Sequence, residues 1–246
     1  MIVLACETST MLGSVAVVEN DRVLAVEESL RQGSHSDVLN VFIERALAKA
    51  GKKLSDVNLF ASSIGPGSFT GIRISVNTVK SLAYCHEKPV FGMNSLYLLA
   101  RHVQSTKSYK EFENLPIVSM VNAYKNMVYV TTHKADSSGL IELKAPEVVR
   151  VQNLDTYLTE KSIFCGDGYK AYSEYFSKSL KEKVQRLTGF DEIYDTNIDE
   201  PHAQTLAIVA SQQANKAHAW NQLLPLYLRA SEAEENLKGI KYQPLI

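Results

Sequence analysis

The sequence predicts an α/β protein of two lobes, each built from a βββαβαβα unit. Apolar runs of strand length alternate with stretches of helical periodicity along the whole chain. The alternation breaks once, at the polar, aperiodic segment 104–114, and then restarts with a strand. The order of elements is the same on both sides of the break: strand, tight turn, hairpin, then helix and strand in turn, as an internal duplication requires. The lobes are therefore 1–103 and 115–246, joined by a linker at 104–114. With 246 residues, 45% of them hydrophobic, the chain has ample apolar material for two cores.

Met1–Thr8 is the first strand. Ser14–Glu19 and Arg22–Glu27 form the hairpin, and Asn20-Asp21 between them tolerate tight-turn dihedrals. Ser34-His35-Ser36-Asp37 reads as a helix start, a Ser with an acid three residues on. Val38, Leu39, Phe42, Ile43, Ala46, Leu47 and Ala50 recur at helical spacing over about 35–50, and Gly51 stands at the C′ position. Leu59–Ile64 is a buried strand. Lys88–Gly92 is a shorter one, and Asn94-Ser95 opens a helix through Leu96, Leu99 and Val103.

The centre of this half is the loop Gly65-Pro66-Gly67-Ser68-Phe69-Thr70-Gly71-Ile72-Arg73 and the helix after it, which runs from Phe69 or Ile72 to Tyr84. Glycine serves where the backbone takes positive φ or approaches something closely. Ser68 and Thr70 are both candidate N-caps. The loop is neither a phosphate-cradling P-loop, since no Lys follows Gly71, nor a dinucleotide fingerprint, since Thr70 stands where the third glycine belongs. Arg73, Asn77, Lys80 and Tyr84 share one narrow stripe of the helix. The remaining arc, roughly 220° wide, is apolar or small, against the ~100° of an ordinary surface helix. The helix at 35–50 also has a wide apolar face, roughly 180°. Both predict either deep burial or a partner.

In the second half Ile117–Val121 and Met127–Thr132 are strands joined through Tyr124-Lys125-Asn126. Ser137-Ser138-Gly139 turns into Leu140–Leu143. A short helix at Leu154–Leu158, a strand at Ile163–Cys165, a helix at Tyr169–Leu180 and a last helix at His202–His218 follow, the last led by Asp199-Glu200-Pro201.

A net charge of −1 provides no broad field for nucleic acid, so any tRNA contact is local, weak or indirect. The start of the chain lacks a basic n-region and a cleavage site, and no run of 18 apolar residues exists; both point to a cytoplasmic, non-membrane protein. Cys6, Cys85 and Cys165 are far apart and flanked by apolar residues, which predicts reduced, buried thiols. The six histidines form no H-x-x-x-H pair, so a zinc site is not expected. His35 reads as a capping or surface residue.

The duplicated unit is the layout of the actin-like and sugar-kinase-like fold, in which a nucleotide sits between lobes and an acid on the first turn of each lobe handles metal and phosphate. Here the first turn offers Glu7, Thr8 and Ser9. Glu7 reads as one half of a vestigial nucleotide site or as a carboxylate that fixes its own turn. The second turn, Asn122-Ala123-Tyr124-Lys125, has no acid and no glycine. Asn neither acts as a general base nor binds Mg²⁺ strongly. Gly166-Asp167-Gly168 lies where an adenosine-contacting glycine turn belongs. There is no G-x-S-x-G elbow. No residue qualifies as catalytic, although an autonomous actin-like kinase or a glycoprotease-like peptidase stays as the alternative.

Glu7-Thr8-Ser9, the run Gly65–Arg73, the strand at Val128-Tyr129 and the late segment Pro225-Leu226-Tyr227-Leu228-Arg229 together resemble the TsaB (YeaZ) proteins of bacteria. The resemblance extends over essentially the whole chain. It implies an actin-like two-lobed fold and a non-catalytic subunit, homodimeric alone, that binds the paralogous TsaD. With TsaD and the ATPase TsaE it supports transfer of a threonylcarbamoyl group to adenosine next to the tRNA anticodon. ATP or ADP and metal are expected on those partners and not on this chain. The resemblance also implies that the two wide-faced helices pair with the partner, through Leu39, Phe42, Ile72, Ser75, Val76, Val79 and Leu82. The family often shows Asp-Ala-Arg at the second turn and an acid before Val-Tyr. Here Asn122, Ala123, Tyr124 and Met127 depart from that pattern.

Overall fold

The computed structural model describes residues 1–30, 36–136, 139–187, 198–230 and 237. Ser34, His35, Ser137 and Ser138 lie outside the described residues, and with them the expected helix start and one turn. The chain divides into two units: Met1–Leu98 with Pro201–Leu226, and Leu99–Glu200 with Tyr227–Ile246.

In the first unit β1 (Ile2–Glu7), β2 (Leu12–Glu19), β3 (Arg22–Leu30), β4 (Leu59–Gly65) and β5 (Val90–Asn94) form a sheet of order β3-β2-β1-β4-β5. β1 pairs antiparallel with β2, Ile2 opposite Glu19, and parallel with β4, Val3 opposite Leu59. Asn20 and Asp21 both take positive φ, 50° and 66°, the dihedrals a two-residue hairpin turn of matching twist demands. β1 is buried along its whole length because both faces of the sheet are covered, which is why it reads as a continuous apolar run.

The helices α1 (Ser36–Ala50) and α2 (Phe69–His86) cover one face. Leu39, Phe42, Ile43, Ala46 and Leu47 of α1, with Ile72, Val76, Val79 and Ala83 of α2, join Leu4, Cys6, Val15, Val17 and Phe60 in one core. The opposite face buries Val3, Ala5, Ala16 and Val18 under α7 (Ala203–Gln212), through Ala203, Leu206, Ala207, Val209 and Ala210. This corrects the expected lobe boundaries. The last helix does not complete the second lobe; it returns to close the first, because a helix apolar nearly all round requires a sheet face that nothing else covers. It ends at Gln212, short of the expected His218. The division between units falls inside α3 (Ser95–Ser105), and the expected linker contains a 3₁₀ turn, Lys107–Glu111, with Tyr109 buried.

The second unit repeats the plan. β6 (Ile117–Asn122), β7 (Met127–Asp136), β8 (Gly139–Arg150), β9 (Ser162–Cys165) and β10 (Val184–Gln185) form a sheet of order β10-β9-β6-β7-β8. Read from the hairpin edge, both sheets run third, second, first, fourth, fifth strand. That shared order is the duplication the sequence predicts, and it is the actin-like arrangement. β8 is far longer than Leu140–Leu143, since it pairs with β7 from Met127↔Arg150 to Asp136↔Gly139; Pro146 is tolerated because β8 is an edge. α4 (Leu154–Tyr157) is short, as predicted. The single helix expected at Tyr169–Leu180 is two, α5 (Asp167–Tyr172) and α6 (Lys178–Lys183). They are separated where the Ser177 hydroxyl accepts the Leu180 N–H at 3.0 Å and starts a new helix. No helix among the described residues is long and apolar enough to cross a membrane.

Candidate functional site

Each unit ends its first strand in a turn, and each turn is covered by a two-glycine loop of the same unit. In the first unit the turn is Glu7-Thr8-Ser9. Glu7 and Thr8 are fully buried and Ser9 nearly so. The Glu7 carboxylate accepts the Ser9 N–H at 2.8 Å, so the acid holds its own turn. The Thr8 hydroxyl donates to the Gly71 carbonyl at 2.7 Å, and the Ser68 N–H donates to the Ser9 carbonyl at 2.7 Å. Ser68 also caps α2, its hydroxyl accepting the Gly71 N–H at 3.2 Å; of the two candidate caps it is the one used. A Cβ at Gly67 would stand 2.2 Å from the Ser9 carbonyl oxygen, and one at Gly71 1.9 Å from that of Thr8. These two glycines are close-approach positions: the loop and the start of α2 pack directly on the backbone of the chain's own first turn. Gly65 serves differently, with φ +98° where the chain leaves β4. Pro66 holds the next corner, its carbonyl accepting the Ser95 hydroxyl. The exposed Arg73 guanidinium lies 4.2 Å from the Phe69 ring centroid, a stacked pair on the outside of the loop. The late motif returns here too, the Leu226 N–H donating to the Ile64 carbonyl at 2.7 Å.

The second unit is built the same way. Gly166 and Gly168 follow β9, the counterpart of β4, and lie against the end of β6, the counterpart of β1. A Cβ at Gly166 would stand 1.9 Å from the Met120 carbonyl oxygen, and one at Gly168 3.0 Å from the same atom. The glycine turn thus meets its own sheet. Between them Asp167 accepts the Asn122 N–H at 2.8 Å. The second turn carries no acid of its own, but a carboxylate from α5 lies against it. The sequence signal for it was the acid between two glycines. The turn proper, Tyr124-Lys125-Asn126, takes φ of 56°, 51° and 62°, and the Asn122 side chain accepts the Tyr124 N–H at 2.7 Å. Arg229 of the late motif donates to the Ala123 carbonyl.

Next to it, Asp199 is buried and accepts the Gly166 N–H at 3.0 Å and both Arg186 guanidinium nitrogens at 2.8 and 2.7 Å. That fork satisfies a carboxylate that would otherwise be costly to bury. Among the described residues Asp167 has no such cation. Burial, the main cause, with the nearby Glu200 and Asp199 charges, pushes its pKa from 3.8 up to about 7, against the lowering hydrogen bonds from Asn122 and Gly168. A carboxyl with a raised folded-state pKa binds more protons folded than unfolded between pH 3.8 and about 7, so its contribution to stability is present at low pH and is lost as pH rises through that window. Asp167→Asn should remove this slope. In urea unfolding, the variant gains on the parent by roughly 2–4 kcal/mol between pH 4 and 7.5, and a pH-independent difference contradicts it.

The predicted partner residues are placed elsewhere than a partner surface. Leu39, Phe42, Ile72, Ser75, Val76 and Val79 are buried in the chain's own core, against its own sheet. Only Leu82 is partly exposed. The reason is geometric: the wide apolar arcs wrap further around each helix than a flat sheet contact alone needs, and the hydrophobic residues of the neighbouring strands fill that width. Val41 of α1 is 39% exposed, while the half-buried Val38, Ile74 and Leu82 pack at the margin of that same core. Cys6 and Cys165 are buried, as expected, but Cys85 is exposed on the last turn of α2. Among the described residues no group of three His, Cys, Asp or Glu could hold a metal ion.

Fold and turns together define an actin-like α/β protein whose first-strand turns are closed over by its own glycine loops. The family model described as TsaD, tRNA N6-adenosine threonylcarbamoyltransferase, matches residues 29–237. The chain is 30% identical to the tRNA threonylcarbamoyladenosine biosynthesis protein TsaB of Buchnera aphidicola subsp. Schizaphis graminum over 74% of this chain and 86% of that one. It is 26% identical to the TsaB of Escherichia coli K12 over 97% and 99%. The solved structure of YeaZ from Pseudomonas aeruginosa superposes with a TM-score of 0.73 at 25% identity, covering 92% of this chain and 99% of that one. The chain belongs to the TsaB (YeaZ) family, whose role is in tRNA threonylcarbamoyladenosine biosynthesis.

Proposed function

We propose that this chain is a non-catalytic subunit that binds a TsaD-type paralogue and activates it for threonylcarbamoyl transfer to tRNA adenosine. A TsaE-type ATPase completes the set. The observation that carries this reading is the closed first turn: Glu7 is buried and holds the Ser9 N–H of its own turn, and Gly67 and Gly71 pack directly on that turn's carbonyls. The nucleotide and metal chemistry then belongs to the partners, and tRNA contact is indirect or local. The paralogue seats on α1 and α2 around Val41, which is 39% exposed, and reaches the half-buried Val38, Ile74 and Leu82 at the margin of their core. The same faces pair two copies when the chain is alone.

Light scattering of the purified chain, alone and mixed with its TsaD-type protein at micromolar concentration, tests this. A homodimer that exchanges into a one-to-one complex is the expected result. A chain unchanged by the paralogue that hydrolyses ATP by itself would support the autonomous kinase reading instead.

A further inference from the structure

At the C-terminal end of α2, Tyr84 of the helix and Trp220 of the 3₁₀ turn Trp220–Gln222 stand in the open. Tyr84 is 64% exposed and Trp220 is 38% exposed. Their rings meet edge to face, centroids 5.2 Å apart and planes at 73°. The Trp220 turn is rigid: His218 exchanges two backbone hydrogen bonds of 2.9 Å with Val90 of β5, and Leu223 is buried in the core. The aromatic pair is therefore held in place before anything binds. It walls a cavity of about 290 Å³ whose other sides are Asn77, Lys80 and Ser81. The Lys80 ammonium lies 5.9 Å from the Trp220 ring centroid. A second cavity, about 800 Å³, shares Tyr84 and Trp220 and adds Lys88. Among the described residues neither Lys80 nor Lys88 has an ion pair, and Glu87 is the only carboxylate lining either cavity.

We propose that this patch binds a nucleotide: the base stacks on the Tyr84–Trp220 pair in the smaller cavity, and its phosphate lies between Lys80 and Lys88. The small cavity, about 290 Å³, is large enough to admit a base, and an exposed aromatic ring accepts any base by its π face, a contact worth a measurable share of single-strand affinity. The Asn77 amide and Ser81 hydroxyl offer donors and acceptors to the base edge. The cations make the site selective for an anionic aromatic ligand. A chain of net charge −1 has no broad field for RNA, but one nucleotide needs only a local pair of cations. The site is separate from the closed Glu7 turn and does not depend on the partner reading. The same chemistry is offered by a free nucleotide and by one unit of an RNA strand.

Trp220 is the single tryptophan of the chain, so its fluorescence reports the site directly. The full-length protein is titrated with AMP, pentaadenylate, adenosine and inorganic phosphate. Saturable quenching by AMP assigns a free nucleotide. Saturation by pentaadenylate alone assigns a strand. Adenosine and phosphate bind at least about tenfold more weakly in both cases. Lys80→Ala and Tyr84→Ala, with melting temperatures unchanged because both side chains reach solvent, each weaken binding about five-fold or more. No saturable quenching, or variants that bind like the parent, overturns the proposal. So does a Trp220 shielded from acrylamide by the TsaD-type protein but by no nucleotide, which makes the patch a protein contact.

Discussion

Gly71→Ala should destabilise the first unit by about 2–4 kcal/mol, a large part of the 5–15 kcal/mol of an ordinary domain. The added methyl would stand 1.9 Å from the Thr8 carbonyl oxygen and 3.3 Å from the Ser68 Cβ. The first of these is backbone inside a buried turn, so it cannot rotate away. Relief requires α2 to lift from the turn, which breaks the Thr8 to Gly71 hydrogen bond and the Ser68 to Ser9 one together. An alanine normally favours a helix over glycine by about 1 kcal/mol, so the sign of the effect is itself diagnostic. Thr70→Ala, one position away and exposed, should move stability by no more than about 0.5 kcal/mol. Urea unfolding of the two variants decides: equal midpoints would mean that the loop does not close on the turn.

Much of the fold was legible because it is written in local patterns. The runs at Ile2–Glu7 and Leu59–Gly65 read as strands since both faces are buried. The Asn20-Asp21 pair read as a hairpin turn since its dihedrals are intrinsic to those residues. The order of elements repeated plainly enough to predict two like units. What was not legible depends on contacts distant in sequence. Asp167 meets the Asn122 N–H across 45 residues, so the carboxylate beside a second turn that carries no acid of its own could not be seen from the turn's residues alone. α7 reads as a helix, but nothing in Ala203–Gln212 says which sheet it covers. The wide arcs of α1 and α2 left burial and a partner both open, because periodicity gives the width of a buried face and not what buries it. Ser75 is the clearest case. A small residue in a helix face suits a close helix partner, but its hydroxyl points inward, 3.3 Å from the Ile72 carbonyl and 3.4 Å from that of Ser63 in β4, so its smallness serves the approach of α2 to its own sheet.

The same distinction makes Val76→Glu and Val41→Glu opposite experiments. Val76 is 1% exposed, within the cluster that holds Leu39, Phe42, Phe60 and Ile72. Among the described residues its core cluster is apolar and offers a carboxylate no cation, and an unpaired buried charge costs about 3–5 kcal/mol or more. The variant should therefore lose cooperative unfolding and helical circular dichroism before any question of partner binding arises. Val41 is 39% exposed on the far side of α1. Glu is a better helix former than Val, so Val41→Glu should keep its melting temperature while it puts a charge into the proposed seam. In light scattering with the TsaD-type protein it should stay uncomplexed, and alone it should run as a monomer. A folded Val76→Glu that fails only to bind would mean that α2 turns its apolar face outward in solution. A Val41→Glu chain that binds as well as the parent would move the partner off the outer face of α1. Because one substitution acts on the core and the other on the surface, a subunit whose work is to be held by another protein is separated from one that simply needs its helices to fold.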